Sequence, residues 1–159
     1  MNDSDIKTFE IYIKAPIETA WEAITSPAWS ARYGYKAPLE YDLRPGGAFR
    51  GLSNAGMRAM GMAEVIIDGE VVAVDAPRKL EQTYRFLFSP ETTAEGFRRL
   101  TWELEATSGG FTRVTLTHDL TGAPVAAGMV TSKFSDRGGG GWNWILSDMK
   151  TLLETGENL

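Results

Sequence analysis

"GWNWILSDMKTLLETG", residues 141–156, decides the fold. At about 100° per residue, Trp142, Ile145, Leu146, Met149, Leu152 and Leu153 fall in one stripe, and Asp148, Lys150, Thr151 and Glu154 lie away from it. Gly156 stands where a C-terminal cap belongs. The spacing predicts a long amphipathic helix with one face to bury. Trp144 sits about 200° around from Trp142 and is expected to meet the preceding loop, a ligand entering beside the helix, or a second subunit. Four consecutive glycines, Gly138 to Gly141, come directly before. Such a run cannot sit inside a stable helix, and it is expected to act as a hinge at the mouth of any cavity beneath.

Something must cover that stripe, and the rest of the chain supplies a sheet. "TFEIYIK" (8–14) alternates, with Phe9, Ile11 and Ile13 on one side. "APIETAWEAITSP" then places Ile17, Ala20, Trp21 and Ile24 on one face of a short helix, with Pro16 suited to its first position and Pro27 ending it. "AWSARYG" (28–34) reads as one or two further helical turns. From there to about residue 120 the signals are strands and turns: "LEYDLR" and "GAFRG" flank Pro45-Gly46-Gly47, and "AEVIIDGEVVAVDAP" is a long strand whose Gly69 suggests a bulge or bend. "KLEQTYRFLF", "RRLTWELEA" and "FTRVTLTHDL" alternate in turn, the last two joined through Ser108-Gly109-Gly110. An antiparallel sheet of this size has one face to bury, and the helices are the elements able to cover it. The fold class is α+β: a helix-grip, with a curved antiparallel sheet around a long C-terminal helix and two short helices after the first strand.

Composition narrows the chemistry. A chain of 159 residues is most simply one domain, 1–159, with a core over about 8–156. Its formal net charge of −5, with no basic run longer than Arg98-Arg99, argues against nucleic acid and anionic membrane as partners. The absence of Cys removes disulfides, thiolate metal sites and a Cys nucleophile, and His118 is the single His, so no metal cluster has a recognisable spacing. No apolar run reaches membrane-spanning length and no leader is visible, so a cytoplasmic location is expected. "GGGGW" lacks the Lys and Ser/Thr of a phosphate loop.

Five segments, "IKAPIETAWEAITSP", "DLRPGGAFRG", "GEVVAVDAPRKLEQTYRF", "TRVTLTHDLTG" and "GWNWILSDMKTLLETG", resemble in order and spacing the bacterial relatives of the C-terminal domain of the activator of the ninety-kilodalton heat-shock chaperone ATPase. These belong to the START-like (SRPBCC) superfamily, with polyketide cyclases and the major birch pollen allergen. The resemblance runs from about residue 8 to 156 and departs from the family pattern at Asp119 to Gly122 and in the glycine density. It implies a cavity between the concave sheet face and the last helix. Candidates to line it are Trp21, Trp29, Tyr33, Phe49, Tyr84, Phe86, Trp102, Leu116, His118, Trp142 and Met149. Polar tips on apolar walls are the composition of a ligand pocket, whereas the plain alternative makes the same residues simply core. His118 shares a strand face with Val114 and Leu116, so it is read as a core histidine bonded to a neighbour, a ligand contact or a general base.

The expected function is non-enzymatic binding of a small apolar or aromatic molecule, with no cofactor and no catalytic residue assigned. The alternatives are a polyketide cyclase or dehydratase-like enzyme, with His118 and a Tyr as acid and base, and a chaperone-modulating interaction module. Chaperone modulation in the relatives that have it also needs a separate N-terminal domain, which counts against a chaperone partner here. A homodimer is compatible with the sequence.

Overall fold

The structure, a computed structural model, describes residues 5–135 and 138–159. Strand β1 (Ile6–Ile13) leads through Pro16, which serves as N-cap one position earlier than its spacing suggested, into α1 (Ile17–Thr25). Helix α1 buries Ala20, Trp21, Ala23 and Ile24, the face its period predicted. A four-residue helix α2 (Pro27–Ser30) follows and stops well short of Gly34, which instead turns the chain with φ +60°.

Strands β2 (Leu39–Tyr41) and β3 (Ala48–Leu52) precede a short helix α3 (Ala55–Ala59), then β4 (Val65–Asp75) and β5 (Lys79–Phe86) form a long hairpin. Helix α4 (Pro90–Glu95) carries a Ser89–Thr92 capping box before β6 (Arg98–Ala106) and β7 (Thr112–Asp119). Helix α5 (Pro124–Val130) and the long α6 (Gly141–Thr155) complete the order. Helices α3, α4 and α5 add to the reading of the sequence, which had strands and turns where α3 and α4 lie. Each is seven residues or fewer, too short to show a helical period.

The seven strands form one antiparallel sheet in the order β1-β7-β6-β5-β4-β3-β2, curved around α6. Successive hairpins account for every pairing but one: β1 returns beside β7, with Phe9 opposite Leu116. The irregularity expected at Gly69 falls two residues later, between Val71 and Ala73. Gly69 has another purpose, since a Cβ there would stand 2.0 Å from the Thr83 carbonyl oxygen of the neighbouring strand. The sheet's inner face and the buried side of α6 share one core, in which Leu80, Leu100, Leu116, Leu146 and Met149 have at most 1% of their surface exposed. Removing a side chain of that size from water contributes about 1.5–3 kcal/mol.

Candidate functional site

Helix α6 does not lie evenly over the sheet. It packs on the β1 side, while α1 packs on β6, and toward β4 and β5 a space is left. That space is a cavity of about 610 Å³, with walls from β4–β6, the residues after α2, and helices α3, α5 and α6, together with Ile24 of α1, Ser30 of α2 and Leu39 of β2. No β1 or β7 side chain among the described residues reaches it.

Six of the predicted residues are on this wall: Tyr33, Tyr84, Phe86, Trp102, Trp142 and Met149. The other five are not. Trp21 and Leu116 are core. Trp29 is partly buried under the Arg32 guanidinium, 4.5 Å from its ring centre. Phe49 is enclosed between Tyr41 and Tyr84, with ring centres 4.7 and 5.5 Å away. Strand parity places such side chains inward, but it cannot say which inward rows meet a void and which meet a helix.

His118 takes the first of its three readings, a core histidine bonded to a neighbour. It is 1% exposed and points inward as expected, yet it stands off the cavity wall. The Trp142 indole N–H donates to its Nδ1 at 3.1 Å, leaving the ring proton on Nε2, and Tyr84 meets the imidazole edge-on at 5.4 Å. Burial pushes the His118 pKa down from 6.5 to about 4, against a weak opposing pull from Asp119. At neutral pH it is an uncharged acceptor that fixes the rotamer of a wall residue. That makes it a positioning residue for Trp142.

Other wall residues came from segments where sequence patterning is weak. Met57 and Met62 come from α3 and the turn after it, and Val125, Gly128 and Met129 from α5. Four of the six methionines, Met57, Met62, Met129 and Met149, line the cavity, and flexible thioether side chains suit a wall that must adapt. Pro124 at the first turn of "PVAAGMV" was the available signal for α5. That helix has no cap of its own: the Glu95 carboxylate, from the end of α4, accepts from the backbone N–H groups of Val125 and Ala126 at 2.7 and 2.9 Å.

The stretch after α2 is tied to α6 in the same manner. Asp148, expected on the solvent side, is 2% exposed and accepts from the Gly34 N–H at 2.9 Å, the Leu159 N–H at 2.8 Å and the Asn158 amide at 3.1 Å. Its neighbours Tyr35 and Lys36 reach the wall, Lys36 with a left-handed φ of 59°. Lys36 carries the one charged side chain on the wall among the described residues, and it is exposed.

Trp144 meets the preceding loop, the first of its three expected places. It stacks on Phe134 at 5.3 Å and tilts against Tyr35 at 5.2 Å. The glycines ahead of it are explained by space as much as by freedom. A Cβ on Gly140 would lie 2.5 Å from Trp144 Cβ, and one on Gly141 would lie 2.1 Å from the Val130 carbonyl oxygen. Gly139, Gly141 and Val130 are all on the cavity wall, so this close approach of α5 to α6 is part of the site.

The wall can hold an apolar body and offer it a few polar contacts. Burial raises the pKa values of Tyr33 and Tyr84 above the ordinary phenol value, so both remain protonated. Tyr33 spends its hydroxyl on the Ala23 carbonyl at 2.8 Å. Among the described residues no group of three or more acidic or imidazole side chains could hold a metal ion, and no helix is long and apolar enough to cross a membrane.

Comparison with known proteins places this architecture. DynU16, a protein of the dynemicin biosynthetic locus, superposes with a TM-score of 0.68 at 20% identity, over 97% of this chain and 49% of that one. CalU16 from Micromonospora echinospora gives 0.55 at 21%, over 76% and 63%. The dimeric Aha1 from Colwellia psychrerythraea gives 0.65 at 16%, over 96% and 98%. The chain thus spans about half of DynU16 and less than two thirds of CalU16. A search of curated protein sequences gave no match. These likenesses show the fold, and the family comes from the sequence itself. A family model described as "Activator of Hsp90 ATPase homolog 1-like protein" matches residues 14–154, nearly the whole chain, and the protein belongs to that family.

Proposed function

We propose that the chain, as a single ligand-binding domain, binds one small apolar or aromatic molecule between the sheet and α6. The observation that carries this is the cavity: about 610 Å³, within the usual range for ligand sites, with aromatic and methionine walls and a few polar tips. The wall residues Tyr33, Tyr84, Phe86, Trp102, Trp142 and Met149 are the proposed contacts, and His118 acts through Trp142. A cyclase-like reaction is the weaker reading, since no Asp, Glu, His or Arg among the described residues lies on the wall to pair with a tyrosine as acid or base. A homodimer is part of the proposal because the Colwellia relative is one.

Native mass spectrometry of protein purified from its own host tests this reading. The expected result is a non-covalent adduct of one small molecule per chain, released on denaturation. Adduct-free protein that also fails to bind any apolar dye saturably would overturn it.

A further inference from the structure

The sheet ends in β1 on one side and β2 on the other, and the two edges are finished differently. Strand β2 is three residues long, and its Leu39 N–H, which faces away from β3, donates to the Ser30 hydroxyl of α2 at 2.8 Å. Strand β1 is eight residues long and pairs with β7 alone. The Leu120 N–H donates to the Asp5 carbonyl at 2.9 Å, and antiparallel bonding alternates, so Lys7, Phe9, Ile11 and Ile13 spend their backbone groups on β7. Ile6, Thr8, Glu10 and Tyr12 turn theirs outward. Past one end of this row the Glu154 carboxylate of α6 accepts from the Lys14 N–H at 2.8 Å. Among the described residues, nothing bonds the outward backbone groups from Ile6 to Tyr12.

An open edge of that length is a template for another strand, and proteins ordinarily cover or interrupt one. The side chains of β1 fit a second copy of the same strand. In an antiparallel pairing about a two-fold axis at Phe9, every outward residue bonds across, with Ile6 opposite the partner's Tyr12 and Thr8 opposite the partner's Glu10. Ile6 and Tyr12 are 41% and 48% exposed, and Tyr12 lies edge-on to the exposed Phe111 at 5.9 Å, so this pairing takes apolar surface out of water. On the inner face, Phe9 meets the partner's Phe9 and Lys7 meets the partner's Ile11. Phe9 and Ile11 are only partly buried in the single chain. No like charges stand opposite one another. One bonding step in one direction would set Glu10 against the partner's Glu10, and one in the other would lose the contacts of Ile6 with Tyr12. Resting on the homodimer of the reading above, we propose that β1 pairs with β1 of a second copy in this register, making the sheet continuous through both chains. The covered edge at β2 stops growth at two, and the cavity, which no described β1 side chain reaches, stays open.

Proline at Thr8 removes an outward N–H and spares the β7 ladder, to which Thr8 gives no bond. Analytical ultracentrifugation should show a wild-type dimer, and a dissociation constant about 10-fold or more higher for Thr8→Pro with an unchanged near-ultraviolet spectrum. A second variant does not depend on a strand accepting proline. The chain has no Cys, and a non-hydrogen-bonded pair on the axis holds its Cα atoms about 4.5 Å apart, within disulfide reach. Phe9→Cys should therefore form a covalent dimer on oxidation with diamide, whereas Tyr12→Cys, further from the axis, should not. A dimer as tight in folded Thr8→Pro as in wild type, or a Phe9→Cys that cross-links no better than Tyr12→Cys, would overturn this interface and leave the homodimer standing. A monomeric wild type would overturn both and leave the edge to a strand of another protein.

Discussion

The Trp142 indole N–H donates to His118 Nδ1 at 3.1 Å, joining the first turn of the C-terminal helix to the inner face of β7. One side of this bond is a wall of the cavity, and the other is core. The bond needs a neutral imidazole, so it couples the site to pH. The folded-state pKa of about 4 lies below the ordinary 6.5, so between those values the unfolded chain binds a proton that the folded chain does not. Stability is complete above pH 6.5 and falls as pH drops toward 4, by on the order of 3 kcal/mol from this group. Urea denaturation at pH 7 and pH 4.5 should show wild type losing on the order of 2–3 kcal/mol more than His118→Gln, which has no proton to gain there. Equal losses in the two proteins would contradict the assignment.

Asp148 should matter more than its place on the polar side of a helical wheel suggests. Asp148→Ala strands the buried Gly34 N–H and releases the C-terminal residues from α6, a loss of about 2–3 kcal/mol in chemical denaturation. Asp148→Asn keeps one acceptor oxygen and should recover part of it. A variant as stable as wild type would show that these bonds are not formed in solution.

Two glycines near the same cavity should respond in opposite ways to alanine. At Gly140, φ is +115° and the new Cβ would meet Trp144 Cβ at 2.5 Å, so Gly140→Ala should cost about 2 kcal/mol or more and loosen the stacking of Trp144 on Phe134. At Gly128, in α5, a Cβ meets nothing within 4 Å, and Gly128→Ala should stabilise by about 0.5–1 kcal/mol through helix propensity. Thermal melts of the two variants check both, and melting temperatures that move together would refute the spatial account of Gly140.

The helix-grip was legible because its long elements carry clean periods. The stripe from Trp142 to Leu153 and the alternation in β1, β5, β6 and β7 each have enough residues to reveal their burial. The cavity was legible only in part, because two of its walls are made by α3 and α5, whose five and seven residues show no period. Leu116 and His118 share their face with wall residues in neighbouring strands, but α6 leans toward β1 and covers that side. Where a helix leans over a sheet is set by close approaches such as Gly141 against Val130, which connect residues far apart on the helix faces and leave no local pattern. Asp148 escaped for a similar reason, since its partners Gly34 and Leu159 belong to other segments.

The space under α5 and α6 is the proposed binding site, and Gly128 is an exposed residue of its wall with no atom within 4 Å of a Cβ built there. The direct measurement is a titration of diphenylhexatriene into wild type and Gly128→Phe, followed by dye emission and Trp quenching. The account predicts saturable one-to-one binding to wild type and at least a 10-fold weaker affinity in Gly128→Phe, with a melting temperature no lower than that of wild type. Equal affinity in a stably folded Gly128→Phe, or non-saturable binding to wild type, would contradict it.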